Sequence, residues 1–187
     1  MDQIGAYDKA LREFDTRVHH VEPAQWRDAT PCTAWSVKDL VNHVTGEHLW
    51  APWLLRGATL TEVGDRFDGD VLGDDPVGVW DRAAAASREA FHVPGALNGR
   101  VHVTGGRIAA EDYGWQMIGD LTVHAWDLAR GIGDDDRMDE DLAREVYDRI
   151  APQASAWQGS GMFAPPVDVP DDAPVQDRLV ALLGRTP

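Results

Sequence analysis

The chain has 187 residues, 43% of them hydrophobic and 26% charged, the balance of a soluble globular protein long enough for one domain with a sizeable core. With 32 Asp and Glu against 17 Lys and Arg its net charge is −15, a field that repels nucleic-acid phosphates and anionic lipid, so neither is an expected partner. It has no apolar run near the roughly 20 residues of a membrane span, no basic-then-apolar leader and only one cysteine, which excludes an intrachain disulfide and a multi-cysteine zinc site; the expected location is the cytoplasm.

The first helix is predicted over about 2–21, where Ile4, Tyr7, Leu11, Phe14, Val18 and Val21 recur at helical spacing as one apolar stripe. "VEPAQWRDATPCTAW" then breaks the pattern with two prolines. Within it Cys32 has no charged sequence neighbour and reads as a small buried apolar residue rather than an activated thiol. Ser36 caps the second helix, with Asp39 in the capping-box position and Trp35 placed to staple onto Leu40. Val37, Leu40, Val41, Val44 and His48 form its main stripe, which makes His48 a packed core histidine. Leu40, His43, Glu47, Trp50 and Leu54 form a second stripe beside it. Residues 57–75, rich in Gly and Asp, read as a loop.

Asp75 and Pro76 open a third helix that runs to about Phe91, with Trp80, Ala84, Ser87 and Phe91 on one side. Residues 93–110 contain a short hairpin signal: Val101 and Val103 alternate with His102 and Thr104, and Gly105-Gly106 supplies a turn. Two further helices are predicted over about 111–131 and about 139–157. An extended "GSGMFAPPVDVPDDAP" and a short closing helix ending at Gly184 follow. The expected fold class is all-α: one domain over 1–187, a four-helix bundle with a hairpin or loop insertion and a small C-terminal helix.

The chemistry centres on "GDLTVHAWDLAR", residues 119–130. At about 100° per residue, Tyr113, Met117, Asp120, Leu121, His124 and Leu128 share one apolar arc, while Trp126 points the other way. A carboxylate inside an apolar stripe needs a partner, and one helical turn places it against His124. On this motif alone the pair is either a buried structural ion pair or part of a metal site. His43, on the flank of another long helix, reads by itself as a surface histidine, but in a bundle that flank can face a neighbouring helix, and two imidazoles and a carboxylate from facing helices suit a divalent-metal site. Three protein ligands leave coordination positions open, the catalytic rather than the structural pattern, and the donor set accepts zinc, nickel or ferrous iron alike.

Glu47, one turn from His43, reads as a fourth ligand or a nearby base. Arg130 either steers an anionic substrate or is a helix-C-terminal cation. Trp50, Trp53 and Met117 either shape a cofactor or substrate pocket or are plain packing. His19, His20, His92 and His102 fall near helix ends or in loops and are not expected to ligate. No phosphate-binding glycine loop, dinucleotide fingerprint or serine nucleophile elbow is present.

"TPCTAWSVKDLVNHVTGEHLW", "DLTVHAWDLARGIG" and "FAPPVDVPDDAPVQDRLVALLGRTP" resemble the actinobacterial metal-binding proteins of the DinB/YfiT-like superfamily. More closely they resemble the branch related to the N-terminal domain of mycothiol-dependent maleylpyruvate isomerase. The resemblance implies a four-helix bundle with a metal at one end or in its core, held by His43, Asp120 and His124. It implies zinc, or sometimes nickel, a low-molecular-weight thiol such as mycothiol or bacillithiol as co-substrate, and a homodimer. Two departures stand out: the isomerase has Glu where this chain has the shorter Asp120, and the sequence has no counterpart of the isomerase's separate C-terminal domain. Both point away from maleylpyruvate isomerisation itself. The expected function is a divalent-metal-dependent thiol S-transferase or isomerase-like enzyme acting on a small molecule. The alternatives are a non-catalytic metal- or ligand-binding protein and a thiol-independent metalloenzyme of secondary metabolism that activates water.

Overall fold

The computed structural model describes residues 1–154 and 164–187. Its helices are α1 (Gln3–His20), α2 (Val37–Leu55), the single turn α3 (Leu60–Val63), α4 (Pro76–Phe91), α5 (Ala110–Ile132), α6 (Glu140–Ile150) and α7 (Val175–Leu182). Strands β1 (Arg100–Val103) and β2 (Gly106–Ala109) form an antiparallel hairpin with Val101 opposite Ile108. Among the described residues the fold is all-α apart from this hairpin. Among the described residues, no helix is long and apolar enough to cross a membrane.

α1 packs along α5 and α2 along α4, while α2 also meets α5 and α1 meets α4, so the four long helices close a ring. The predicted stripes supply its interior: Tyr7, Leu11, Phe14 and Val18 from α1, Val37, Leu40, Val41 and Val44 from α2, and Trp80, Ala84 and Phe91 from α4 are all buried. Each large apolar side chain so buried contributes about 1.5–3 kcal/mol. Three polar members of the stripes pair within the ring, while His48 Nε2 and the Tyr113 hydroxyl are buried without a hydrogen-bond partner among the described residues. His48 Nδ1 pairs with the Tyr7 hydroxyl at 3.3 Å, and that hydroxyl lies 2.8 Å from Ser87 Oγ, a chain that joins α2, α1 and α4. Burial pushes the His48 pKa down to about 4, so the ring is neutral at physiological pH.

The second helix begins as expected. Ser36 Oγ accepts from Asp39 N, and the Asp39 carboxylate in turn accepts from Ser36 N. The hairpin runs straight into α5, because Ala109 is both the last residue of β2 and the N-cap of α5.

Three expectations need correction. Residues 57–75 are not loop throughout: Thr59 and Glu62 form a capping box around α3, and Val63 and Leu72 anchor the segment in the interior. The helix expected over about 139–157 ends at Ile150, and Pro152 follows, which has no N–H with which to extend it; residues 155–157 lie outside the described residues. Trp126, expected to face away from the core, is 1% exposed. α5 is the central helix, with α1 and α2 on one side and α6 also against it, so its far face is covered as well.

Candidate metal centre

From Met117 to Ala129 every residue of α5 is buried except Asp120. The gap faces α2. There His43 Nε2 lies 3.5 Å from the Asp120 carboxylate, and His124 Nε2 lies 3.4 Å from Asp120 Oδ1. One donor atom from each of His43, Asp120 and His124 falls within 4.8 Å of the others. The two imidazoles stand nearly edge to face, with centroids 5.4 Å apart and planes at 78°. His43 and Asp120 side chains are 32% and 29% exposed, against 9% for His124, so the triad is reached from the His43–Asp120 side.

The electrostatics follow from this packing. Burial alone would raise the Asp120 pKa, but the adjacent His124 charge and hydrogen bonds from both imidazoles hold the carboxyl far below the usual range. Burial likewise opposes charge on His124, yet Asp120 and Asp127 outweigh it and push its pKa up to about 9. A cation ligated at Nε2 must therefore displace a proton. Glu47, half-buried on α2, is shifted the other way: burial, then repulsion from Asp120, raises its pKa, with His43 opposing.

Around His124 stand residues whose role the sequence did not reveal. His124 Nδ1 donates to Asp127 Oδ2 at 2.9 Å. Asp127, with no exposed surface, also accepts from Arg185, Nη2 to Oδ2 at 2.8 Å and Nε to Oδ1 at 3.2 Å. With Nδ1 engaged, Nε2 is the nitrogen left for a ligand, the arrangement that metal-binding histidines commonly use. Trp35, expected only as a helix staple, packs its ring at a tilt against both imidazoles, with centroids 4.7 Å from His43 and 5.6 Å from His124. The three-residue step from His124 to Asp127 was visible in sequence; the Arg185 contact, 58 residues along the chain, was not.

The other candidate residues are engaged in other contacts. Trp50 packs on Phe67, with ring centroids 6.0 Å apart. Trp53, about 15 Å of helix from His43, is covered by the guanidinium groups of Arg56 and Arg66. Met117 is buried in the core one turn before Leu121. Arg130 donates to Asp136 at 3.1 Å and lies over the Trp126 ring, about 15 Å of helix beyond Asp120. The structure thus brings together His43, Asp120 and His124, with Glu47 nearby, and leaves Arg130 and Trp53 apart from them.

Cys32 is not as isolated as its sequence neighbours imply. The charges of Arg185, Asp127 and Asp120 all act on it, but burial dominates and pushes the thiol pKa up. A second set of donors, Asp15, His19 and Asp81, lies on the outside of α1 and α4; two of the three are exposed, and Asp15 already accepts from Trp80 Nε1.

Comparison with known proteins places these residues in a family. The uncharacterised proteins MT0763 and Rv0738, from two strains of Mycobacterium tuberculosis, are each 30% identical over 195 residues, covering 100% of this chain and 99% of theirs. Crystal structures of mycothiol-dependent maleylpyruvate isomerase share the fold. A histidine-to-alanine variant aligns at a TM-score of 0.67 with 14% identity, over 88% of this chain and 72% of that one. A second structure of the isomerase aligns at 0.63 with 16% identity, over 82% and 70%. Residues 7–129 match the family model of the mycothiol maleylpyruvate isomerase N-terminal domain, a span that holds His43, Asp120, His124 and Asp127 and stops short of Arg185. The chain belongs to the mycothiol maleylpyruvate isomerase N-terminal domain family.

Proposed function

We propose that this protein is a divalent-metal-dependent enzyme that uses mycothiol to transfer to, or rearrange, a small electrophilic molecule. The observation that carries the reading is the convergence of His43 Nε2, His124 Nε2 and the Asp120 carboxylate at the one gap in the otherwise buried stretch 117–129 of α5. The residues fit an ion. Two neutral imidazole nitrogens and a carboxylate oxygen suit zinc, nickel or ferrous iron, and Asp127 already holds His124 with Nε2 turned to the triad. Family membership supports the thiol, since the crystal structures that share the fold are of a mycothiol-dependent isomerase.

A divalent ion held by His43, Asp120 and His124 would lower the pKa of a thiol bound to it and so favour the thiolate at neutral pH, where a free thiol is mostly protonated. The rest of the work falls to the chain. His43 and His124 fix the donor geometry, and Asp120 offsets positive charge. Trp35 walls the site and limits the approach of water over the two imidazoles. Glu47, kept protonated over a wider pH range by burial and by Asp120, would give a proton to the substrate and take it back.

The test is spectroscopic. Cobalt-substituted protein should develop a sulfur-to-metal charge-transfer band on addition of mycothiol. A correctly loaded cobalt site whose spectrum is unchanged by saturating mycothiol ends the thiol reading, and activation of water at the same residues takes its place.

A further inference from the structure

We propose that Arg185 is a positioning residue for the triad, acting through Asp127 on His124, so that docking of the segment after residue 163 and cation binding are thermodynamically linked. The inference rests on the reading of His43, Asp120 and His124 as ligands. Arg185 lies outside the part of the chain that matches the family model, so nothing in that match assigns it a role.

The geometry is that of a clasp. Arg185 Nε and Nη2 address the two oxygens of Asp127 separately, and Nη1 donates to the Leu183 carbonyl at 2.9 Å, so all three guanidinium nitrogens are engaged. Asp127 Oδ2 receives both Arg185 Nη2 and His124 Nδ1. A carboxylate held at both oxygens cannot rotate, and its remaining direction sets the plane of the His124 ring. The chain is shaped to deliver this side chain. Gly184 takes φ +82 and packs against Ala164 so closely that a Cβ there would lie 2.6 Å from the Ala164 Cβ. Arg185 N returns to the Val180 carbonyl at 3.0 Å, and α7 docks on α6. Arg185 and Asp127 are 8% and 0% exposed, so water replaces neither partner.

Two consequences follow. Partners that orient a metal-binding histidine from behind typically change affinity by about 10–100-fold. If Arg185 strengthens cation binding by such a factor, a bound cation strengthens docking of the Arg185 segment by the same factor.

The experiment compares wild type with Arg185→Met, Arg185→Lys, Asp127→Asn and the double variant Asp127→Asn/Arg185→Met. Cobalt affinity is measured by chelator competition, and amide exchange over 179–185 with and without cobalt. Arg185→Met should weaken cobalt binding by about 10–100-fold. Arg185→Lys should recover only part, because one ammonium cannot span both carboxylate oxygens. In the Asp127→Asn background the Arg185 change should add nothing, and cobalt should slow exchange over 179–185 in wild type but not in Arg185→Met. Unchanged affinity in a folded Arg185→Met, or full additivity with Asp127→Asn, overturns the proposal. The double variant removes the orphaned buried carboxylate and guards against an unfolded single variant. Exchange of the His124 Nδ1 proton, followed by NMR without cobalt, gives a reading independent of the metal. It should speed up in Arg185→Met. If wild type takes up no cobalt, the metal reading fails while this arm still decides whether Arg185 holds His124; an unaltered rate says that it does not.

Discussion

His124 assigns different tasks to its two ring nitrogens: Nδ1 donates to Asp127, and Nε2 faces Asp120 and His43. Replacing it with alanine leaves two donors, which hold a divalent ion poorly. His124→Ala should therefore lose the roughly one equivalent of ion expected per chain, as read by elemental analysis, and full occupancy would place the site elsewhere. Cys32 makes the opposite expectation: with its thiol kept protonated by burial, Cys32→Ser should retain both ion and turnover. A folded, metal-loaded serine variant without turnover would make Cys32 the nucleophile. The Asp120–His124 pair was legible in sequence because four residues is one turn and both fell in an apolar arc. His43 was legible only in combination, since a wheel cannot say which flank of α2 a neighbour will cover. Trp35 was read by its local position before Ser36, whereas its ring serves residues 8 and 89 positions away, a relation that only the packing of α2 on α5 creates.

α1, α2, α4 and α5 were legible from their stripes because burial of one face decides a long helix. α3 was missed although Thr59 and Glu62 spell a capping box, since four residues carry no periodicity. The end of α6 was misjudged because apolar residues continue past Pro152, which stops the helix for a backbone reason rather than a side-chain one. Gly184 shows such a backbone reason in energetic form. Its φ of +82 disfavours any side chain, and a Cβ would strike Ala164. Gly184→Ala should destabilise the fold by roughly 1–3 kcal/mol in chemical denaturation, and an unchanged midpoint would show that the segment undocks without cost.

Acid stability is a property of the whole molecule, but His48 gives it a local origin. Its pKa is about 4 in the folded chain against 6.5 as the ordinary value, so the unfolded chain binds the extra proton between these limits. Stability from the neutral ring is complete above about pH 6.5 and is lost as pH falls toward 4, on the order of 3 kcal/mol in all. The net charge of −15 adds a self-repulsion that acid relieves, so the useful quantity is the difference between wild type and His48→Gln at each pH. That difference should shrink in favour of the variant from pH 7 to 4; a constant difference would mean that His48 is protonated as easily in the folded chain. The arrangement of the triad along the chain also bears on how the molecule assembles. Asp120 and His124 are one turn apart on α5, whereas His43 stands 77 residues from Asp120. An ion gripped by the two local donors closes almost no loop and can staple a turn of α5 before α2 arrives, while the third bond must await closure of the long one. Zinc should accordingly speed refolding as well as slow unfolding, and the share that appears in the refolding rate measures how much of α5 is formed at the barrier. Stopped-flow refolding with and without zinc reads that share directly, and an effect confined to unfolding would mean that the ion enters only after the ring has closed.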